Sequence, residues 1–379
     1  MKKDVLFIIP TLCGGGAEKV LIDILRNFDY NRYNVMLALE FKDGVYVEDI
    51  PENVVVKSFF RRYNILSYIF FTFLRRIRLY HFYHRVVYKY WMRFLFRKHD
   101  FDTIVSFMEG NALKLHSYVY NKAKRNISWV HLDLKAKHWS ADFFERAEIE
   151  KLCYQLLDYV VFVSNDSMNK FLELYPDYPK SKCRVIYNLI DKDQIIASSN
   201  ETYINKQGVV ICMVGRLNEQ KRYDRAIDAV KRLKEDGYVF KLWILGCGEQ
   251  LEMCRQRSIE SGTDSDIHFW GFVKPAYAYM KVADIFLNTS QAEGYPLTIC
   301  EALCLGLPVV ATDITGAREI LDNSKYGLLV GEDVDSIYKG LKLLLSDPDK
   351  RRYYQNQALI RAEEFTVRHV LDDIYELLS

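Results

Sequence analysis

The stretch VLFIIPTLCGGGAEKVLIDILRNF, residues 5–28, decides the fold. Its first residues form a short apolar run, which is typical of a strand that is covered on both faces of a parallel sheet. Three glycines follow, and then apolar residues such as Val20, Ile24 and Phe28 recur at helical spacing. A buried strand, a glycine turn and an amphipathic helix make up the first half of a right-handed βαβ unit.

The same alternation of apolar runs and helical patterns continues along the chain. The first half contains strand candidates at residues 5–10, 35–40, 102–107, 126–131 and 159–164. The second half contains further candidates at residues 208–215, 238–246, 267–271, 284–290, 307–312 and 326–330. Strands that alternate with helices predict an α/β protein built from doubly wound parallel sheets.

The pattern restarts after about residue 190, following the polar segment DKDQIIASSNETYINKQ (191–207), which we interpret as a linker between domains. A chain of 379 residues also favours two domains over one. We predict an N-terminal Rossmann-like domain over residues 1–190 and a C-terminal one over residues 191–364. The last helix, within residues 365–379, is expected to return to the first domain.

Composition excludes several classes of protein. The net charge of +2 indicates neither nucleic acid nor an acidic partner, and the eight cysteines include no CxxC pair. They are therefore expected to be reduced cysteines of a cytosolic protein. The apolar run after the N-terminal lysines is too short for a signal peptide, and no stretch reaches the ~18 apolar residues of a spanning helix.

Two glycine-rich loops follow predicted strands, at Cys13–Glu18 and at Gly246–Glu249. Open α/β sheets bind ligands at the carboxyl ends of their strands. Glycines let the backbone approach a ligand closely, and a helix N-terminus offers free N–H groups to an anion. The first loop matches neither the dinucleotide fingerprint nor the P-loop, and it could also be a purely structural turn. For the second loop alone, a structural turn is the favoured interpretation.

A third loop, GRLNEQK at residues 215–221, places Arg216 and Lys221 after a buried strand. A guanidinium and an ammonium at this position could together neutralise a diphosphate. Two solvated surface cations are the alternative if the loop is considered alone.

The fourth loop places two glutamates around a turn. Glu293 lies in a Gly-Tyr-Pro context, and Glu301 lies within the helix that follows, which is expected to begin near Pro296. First-turn N–H groups could face a phosphate while both carboxylates accept hydrogen bonds from sugar hydroxyls. For Glu301, a carboxylate bonded to a local donor remains the structural alternative.

Taken together, these motifs resemble the donor domain of retaining GT-B glycosyltransferases of family 4, whose fold is two Rossmann-like domains facing across a cleft. The resemblance rests on the order of Gly215-Arg216 with Lys221, Gly246-x-Gly248-Glu249, and Glu293-x7-Glu301 followed by Gly306-x-Pro308. GGGAEKV and the segment around Asn188 also resemble that family, so the likeness covers nearly the whole chain. The chain departs from the pattern at Leu189 and at Tyr295-Pro296.

The resemblance implies a role for each matched position. Arg216 and Lys221 would bind the donor diphosphate, Glu293 the sugar hydroxyls and Glu301 the ribose. His131 would lie beside the transferred sugar, although a buried histidine bonded to backbone is the alternative. The remaining donor contacts implied are Gly15, Gly16, Gly215, Gly248, Phe272, Val273, Gly294, Tyr295, Pro296, Leu297 and Thr298.

The resemblance also implies a retaining, front-face mechanism with no metal and no cofactor beyond the nucleotide-sugar. The Asp-x-Asp triplets at 191–193, 264–266 and 347–349 lie in polar settings, which argues against a metal-dependent enzyme of the other glycosyltransferase fold. We expect a UDP-sugar by default and a saccharide or lipid-linked acceptor of surface polysaccharide or glycolipid synthesis. A nucleotide-sugar epimerase, another GT-B enzyme or a non-catalytic binding protein are the alternatives.

A basic aromatic segment lies between Asn53 and His99, a stretch without any Asp or Glu. Arginines interleaved with aromatic residues suit helices that lie at the surface of an anionic membrane. We expect the contacts to include Arg75, Arg76, Arg78, Phe71 and Trp91, on a cytoplasmic protein bound to the inner face of the cell membrane. Nucleic-acid binding is considered less favoured, and a helix pair with a solvated basic face remains open.

Overall fold

The computed structural model describes residues 2–62, 65–77 and 79–379. Contacts divide the chain into two compact units. The first unit comprises Met1–Leu189 with Val367–Ser379, and the second comprises Ile190–Thr366. The sequence-based prediction placed the corresponding boundaries at 190/191 and at 364/365.

The first unit contains a seven-stranded sheet in which every neighbouring pair is parallel. Its strands, in chain order, are β1 Lys3–Ile9, β2 Tyr33–Phe41, β3 Val54–Phe60, β4 Phe101–Ser106, β5 Ala123–Val130, β6 Tyr159–Phe162 and β7 Cys183–Val185. The helices between them are α1 Gly16–Arg26, α2 Ile65–Arg76, α3 Tyr80–Tyr83, α4 Lys89–Leu95, α5 Asn111–His116, α6 Ala147–Gln155 and α7 Asn165–Leu174. A π-helical turn, His84–Tyr88, joins α3 to α4.

The second unit contains a six-stranded parallel sheet. Its strands are β8 Val210–Val214, β9 Lys241–Leu245, β10 Ile267–Gly271, β11 Ile285–Asn288, β12 Val309–Thr312 and β13 Leu328–Val330. Its helices are α8 Lys192–Ser199, α9 Tyr223–Glu235, α10 Leu251–Glu260, α11 Tyr277–Val282, α12 Leu297–Cys304, α13 Ala317–Leu321, α14 Val334–Ser346 and α15 Pro348–Ala362.

Both sheets reverse their strand order at one point. The first runs β3-β2-β1-β4-β5-β6-β7 and the second runs β10-β9-β8-β11-β12-β13. In each sheet the chain leaves the first strand in one direction and later returns to its other side, which is the doubly wound order. The predicted fold class of two Rossmann-like α/β sheets is therefore confirmed. The crevice at the reversal lies beside β1 and β4 in one unit and beside β8 and β11 in the other.

The C-terminal helix α16, Val367–Leu378, belongs to the first unit. Its Tyr375 ring stacks on Tyr33 of β2 at 5.5 Å, and its hydroxyl accepts the Asp29 N–H at 2.7 Å. Arg125 of β5 donates to the Leu377 carbonyl at 2.6 Å. The last helix thus packs beside the strands with which the chain begins.

The structure differs from the sequence-based expectations in three elements. Strands β3 and β7 were not among the predicted strands, because β3 runs into the basic aromatic segment and β7 has only three residues. The predicted linker 191–207 was wrong in its first half, which forms α8. Asp191 caps this helix by accepting the Gln194 N–H at 2.9 Å, and Ile195 is buried, so a polar composition concealed a packed helix.

Replacing Tyr375 tests how much α16 stabilises the first unit. Tyr375→Ala removes the stacked ring and the hydroxyl acceptor, and we expect the free energy of unfolding to fall by about 2 kcal/mol, because the side chain is half-buried. Tyr375→Phe keeps the ring and should cost about 1 kcal/mol. Urea denaturation measures both, with exposed Tyr203→Ala as the control; a Tyr375→Ala curve that matches the wild type would contradict the packing role.

Candidate functional site

An ion pair lies at the strand-order reversal of the second sheet. Lys221 ends a 3₁₀ turn after β8, and its Nζ lies 2.8 Å from Oε2 of Glu293, in the loop after β11. The Asn288 amide donates to the other oxygen, Oε1, at 3.1 Å. Both side chains are largely shielded from solvent. The structure therefore brings together two residues that the sequence places 72 positions apart.

The charge state of Glu293 follows from its neighbours. Burial raises the pKa of Glu293, but the Lys221 ammonium and the hydrogen bonds to the carboxylate outweigh it and hold the pKa below its usual value. The carboxylate is therefore ionised at neutral pH. An ammonium has three N–H donors, so Lys221 keeps donor capacity beyond its bond to Glu293.

Hydrogen bonds fasten the two loops to each other. The Thr289 hydroxyl donates to the carbonyls of Lys221 and Arg222 at 2.9 and 3.0 Å. The Gln291 N–H donates to the Gln220 carbonyl at 2.9 Å, and the Gln220 amide donates to the Ala292 carbonyl. The cation loop and the acid loop are thus held as one body, which fixes the distance between their side chains.

The loop after β9 packs against the loop after β8, and glycine is required there. A Cβ on Gly246 would lie 1.9 Å from the Gly215 carbonyl oxygen, and one on Gly248 would lie 2.2 Å from the Leu217 carbonyl oxygen. The Leu217 N–H also donates to the Cys247 carbonyl at 3.0 Å. Gly248 thus has a structural role whether or not it contacts a ligand, which is the alternative that the sequence left open.

Arg216 and the two residues after β10 are accessible. The Arg216 side chain is exposed and has no ion pair or hydrogen bond among the described residues. Phe272 is 48% exposed, and Val273 beside it is partly buried. Arg216 is thus a solvated cation on the same sheet edge as the Lys221–Glu293 pair.

Glu301 lies in α12, just over one turn from its start at Leu297. It is 6% exposed, and the Tyr277 hydroxyl donates to its Oε1 at 3.2 Å. Gly294, Tyr295 and Pro296 are buried in the loop before the helix. Near the helix start, the hydroxyl oxygen of Thr298 is buried without a hydrogen-bond partner among the described residues.

The glycine loop after β1 bonds to its own helix. Glu18 accepts the N–H groups of Gly14 and Gly15 at 2.6 and 2.8 Å, and the hydroxyl of Thr11 at 3.0 Å. Gly16 begins α1. The Gly14 and Gly15 donors that could have met a phosphate thus have an acceptor in α1, and the predicted phosphate contacts of Gly15 and Gly16 remain a prediction.

His131 follows β5, and a carboxylate that the sequence analysis missed holds it in place. Glu109, in the loop after β4, is 1% exposed and accepts the His131 N–H at 2.9 Å and the Trp139 indole N–H at 3.0 Å. Burial raises the pKa of Glu109. The sequence signal that could have identified Glu109 is its position in another strand-to-helix loop, Met-Glu-Gly-Asn, between β4 and α5.

The His131 ring is neutral and has one nitrogen without a partner. Burial lowers its pKa to about 3, against a backbone hydrogen bond at Phe107 that raises it. Nε2 is buried without a hydrogen-bond partner among the described residues. The imidazole can therefore form a hydrogen bond with a neighbouring group through Nε2, but it carries no charge near neutral pH.

A second buried carboxylate fastens the segment that follows His131. Glu150 of α6 is fully buried and accepts from the Ser140 hydroxyl at 2.6 Å, and its Oε2 lies 2.8 Å from Nε2 of His138. The Tyr175 hydroxyl lies 3.4 Å from the same nitrogen. The hydrogen bond to Glu150 raises the pKa of His138, with a contribution from Asp142, although burial acts in the opposite direction.

The predicted membrane residues divide into two groups. Arg76 and Trp91 are exposed, as expected for surface contacts. The expectation that Phe71 lies on the surface is corrected, because its side chain is only 8% exposed. Helix α2 turns it inward against Phe41 and Tyr80, at ring distances of 6.1 and 6.4 Å. Arg78 lies outside the described residues, as does the side chain of Arg75.

Further features concern residues 2–62, 65–77 and 79–379. Across these ranges no helix has the length and apolar character to cross a membrane, and no three His, Cys, Asp or Glu residues form a metal-ligand group. No disulfide joins any of the eight cysteines. In the Asp-x-Asp triplets, Asp191 and Asp347 cap helices α8 and α15.

Family models match both halves of the chain. The model described as "Glycosyltransferase Family 4" matches residues 14–194, and the model described as "Glycosyl transferases group 1" matches residues 194–361. Together the two matches cover every strand after β1 and include both loops of the Lys221–Glu293 pair.

Two relatives of the chain are named as glycosyltransferases. An N-acetylgalactosamine-N,N'-diacetylbacillosaminyl-diphospho-undecaprenol 4-alpha-N-acetylgalactosaminyltransferase of Campylobacter jejuni is 32% identical over 60% of this chain and 61% of its own length. A putative colanic acid biosynthesis glycosyltransferase, WcaL, of Escherichia coli is 35% identical over 32% of each chain. The chain thus spans less than two thirds of the length of either relative.

Solved structures share the fold over the full length. The crystal structure of Anabaena Alr3699/HepE in complex with UDP-glucose superposes with a TM-score of 0.74 over 99% of both chains, at 19% identity. At this identity the likeness concerns the fold.

The His138–Glu150 pair should make stability depend on pH. Because the pKa of His138 is raised in the folded chain, its contribution is complete below the ordinary histidine pKa of ~6.5 and is lost as pH rises through the folded pKa. We expect the difference in unfolding free energy between wild type and His138→Gln to be larger at about pH 6 than at about pH 8.5. Urea denaturation at both pH values measures it, with exposed His268→Gln as the control; an equal difference at both would contradict the pairing.

Proposed function

We propose that this chain, which belongs to the glycosyltransferase group 1 and family 4 proteins, transfers a sugar from a nucleotide-sugar donor to a saccharide acceptor with retention at the anomeric carbon. The observation that carries the proposal is the shielded Lys221–Glu293 pair at 2.8 Å, with the exposed Arg216 on the same edge of the second sheet. A donor with a diphosphate and a polyhydroxylated sugar needs cations and carboxylates side by side.

Arg216 and Lys221 would bind the diphosphate. Arg216 has no partner to give up within the described residues, and Lys221 retains N–H donors beyond the one used by Glu293. Their charges would stabilise the negative charge that develops on the leaving diphosphate, the kind of stabilisation that contributes most in such reactions. We propose that these residues meet that charge without a metal or another cofactor.

The two glutamates would position the rest of the donor. Glu293 is ionised and held by Asn288, so it would accept hydrogen bonds from sugar hydroxyls. Glu301, restrained by Tyr277, would accept them from the ribose. Phe272 would contact the base, and the unpartnered Thr298 hydroxyl near the α12 N-terminus would face a phosphate.

In the proposed step the bond between the anomeric carbon and the diphosphate oxygen breaks, and the leaving diphosphate keeps the electron pair. The acceptor hydroxyl oxygen bonds to that carbon from the same face, and its proton passes to a donor phosphate oxygen. His131, as a neutral imidazole with a free Nε2, would hydrogen-bond a sugar hydroxyl rather than act as an acid.

The proposal extends to the donor base, the acceptor and the site of action. A UDP-sugar is favoured because a structure of the same fold was solved with UDP-glucose. The name of the Campylobacter jejuni relative specifies a diphospho-undecaprenol acceptor, and WcaL is named for colanic acid synthesis. These names support a lipid-linked saccharide acceptor, surface polysaccharide synthesis, and a chain bound to the inner face of the cell membrane.

Substituting Lys221 and Glu301 tests the transfer. Lys221→Ala should lower kcat by about a hundredfold or more, since it removes charge stabilisation of the leaving group. Glu301→Gln should raise the donor KM by about tenfold or more, since it weakens charge-assisted hydrogen bonds to the ribose. Release of nucleoside diphosphate, measured with and without acceptor saccharide, gives both constants.

The matched control is Lys241→Ala, which should retain activity. Lys241 lies on β9 of the same sheet, and its Nζ is 2.9 Å from Oδ1 of Asp266. Thermal unfolding of each variant separates lost chemistry from lost fold. Retained turnover in folded Lys221→Ala would contradict the proposal. Donor conversion without any acceptor would favour an epimerase, and donor binding without conversion would favour a non-catalytic protein.

Calorimetry with a panel of UDP-, GDP- and ADP-sugars tests the donor. We expect one UDP-sugar to bind most tightly and to raise the unfolding temperature, because a ligand that binds only the folded state stabilises it. Binding should weaken in Arg216→Ala and remain unchanged in Arg255→Ala, an exposed arginine on α10. A GDP- or ADP-sugar that bound best would overturn the base assignment and leave the reaction class standing.

A further inference from the structure

Exposed apolar side chains are concentrated in one short segment of the first unit. Ten of the 27 large apolar side chains that are exposed in the described residues lie between positions 69 and 94, each 41–71% exposed. We call these ten residues the aromatic face: Ile69, Phe70, Phe73, Ile77, Leu79, Phe82, Val86, Tyr90, Trp91 and Phe94. A concentration of exposed apolar side chains in one part of a fold indicates an interaction site.

The helices that carry the aromatic face pack on the same side of the first sheet. Phe71 and Leu74 of α2 join one core cluster with Leu6 and Ile8 of β1. The same cluster contains four inward residues of α3, α4 and the adjoining turns, namely Tyr80, Tyr88, Met92 and Phe96. Since the inner sides of α2 and of α3–α4 share a core, their outer sides point away from the same sheet face.

The inward stripe of α3–α4 explains the π-helical turn. Residues 80, 84, 88, 92 and 96 are buried, a spacing of four residues throughout. An α-helix of 3.6 residues per turn would rotate such a stripe away from the sheet, and a wider turn at His84–Tyr88 restores its direction. The apolar outer residues are therefore held outward by the geometry of the helix.

A buried polar network fixes this segment to the sheet. Tyr88 donates to Glu40 at the end of β2, and the Asn111 amide donates to the other Glu40 oxygen at 2.5 Å. His84 bonds to Asn111 at 2.7 Å and to the Tyr118 hydroxyl at 3.1 Å. The aromatic face is thus a preorganised surface, because its base is fastened by directional bonds.

The charge around the aromatic face is positive. Eleven of the 52 Lys and Arg residues lie between positions 54 and 99, and none of the 50 Asp and Glu residues does. Arg76, Arg85, Arg93 and Arg97 are exposed, and no ion pair engages Arg76 or Arg85 within the described residues. A second copy of this chain would bring the same cations against each other, which disfavours a symmetric dimer through this face.

We infer that the aromatic face docks on an anionic lipid bilayer, with α2 and α3–α4 lying in the plane of the interface. The apolar side chains would enter the region between headgroups and acyl chains, and the arginines would meet lipid phosphates. The inference deepens the proposed function and rests on it in one respect. Docking would bring the first unit to the membrane-embedded acceptor that the proposed function requires.

Vesicle sedimentation of the full chain tests the inference. The wild type should pellet with vesicles of phosphatidylcholine and phosphatidylglycerol, remain in the supernatant with phosphatidylcholine alone, and dissociate as salt is raised. R76E/R85E should lower binding about tenfold or more through lost attraction to lipid phosphates. F73S/F82S should lower it about tenfold or more through lost apolar insertion.

Matched controls lie in the second unit. R255E/R352E makes the same charge change at exposed arginines of α10 and α15, and L359S/I360S makes the same kind of apolar change on α15, where both side chains are about half exposed. Both controls should bind vesicles like the wild type. Circular dichroism and thermal unfolding establish that each variant is folded.

The inference would be overturned by wild type that stays in solution with anionic vesicles, by folded R76E/R85E that binds them fully, or by a concentration-dependent dimer that F73S/F82S abolishes. Tighter binding to single-stranded RNA than to anionic vesicles would also overturn it. The readout is independent of catalysis. Vesicle binding without sugar transfer would count against the proposed function alone, and transfer to a soluble acceptor without vesicle binding would count against the docking face alone.

Discussion

The reversal of strand order in the second sheet is the constraint on which the candidate site depends. Because β8 and β11 are parallel neighbours, the loops after both strands emerge at the same edge although many residues separate them. At such a reversal of strand order, a crevice forms outside the carboxyl ends of the two strands. Lys221 and Glu293 meet at that crevice because of this topology, and the hydrogen bonds from the Thr289 and Gln220 side chains to backbone carbonyls of the facing loop then fix the separation.

The ion pair also explains how such a site can be ready before a ligand arrives. An isolated carboxylate shielded from water would take up a proton or destabilise the fold. Lys221 and Asn288 keep Glu293 ionised, and Glu293 in turn holds the ammonium at the crevice. Arg216, by contrast, is solvated and unpaired within the described residues, so it can move to a ligand at the cost of side-chain entropy alone. The candidate site therefore combines one paired, shielded cation with one solvated cation.

The sequence predicted the parts whose signal is local. Apolar runs with glycine turns identified eleven of the strands, and the spacing of Arg216, Lys221, Glu293 and Glu301 identified one sheet edge. Edge strand β3 and the three-residue β7 carry weak signals, and α8 was concealed by its polar exposed face. Glu40 could not be predicted as a partner of Tyr88 and Asn111, because they are 48 and 71 residues away and the pairing depends on the folded sheet. The inward direction of Phe71 likewise depends on which side of α2 meets the sheet.

Buried carboxylates fix the positions of loops in the first unit, which its apolar core alone would not do. Glu109 bridges the loops after β4 and β5, and Glu150 bridges α6 to the segment before it. Each is almost wholly buried, and each is satisfied by directional donors from a different stretch of chain. Apolar packing tolerates small shifts, whereas a buried carboxylate that loses a donor incurs a desolvation cost of about 1–3 kcal/mol or more, so these loops have one favoured position. His131 lies between such loops, and its position at the sheet edge is set by the Glu109 bond to its own backbone together with the contacts of its ring with Phe107.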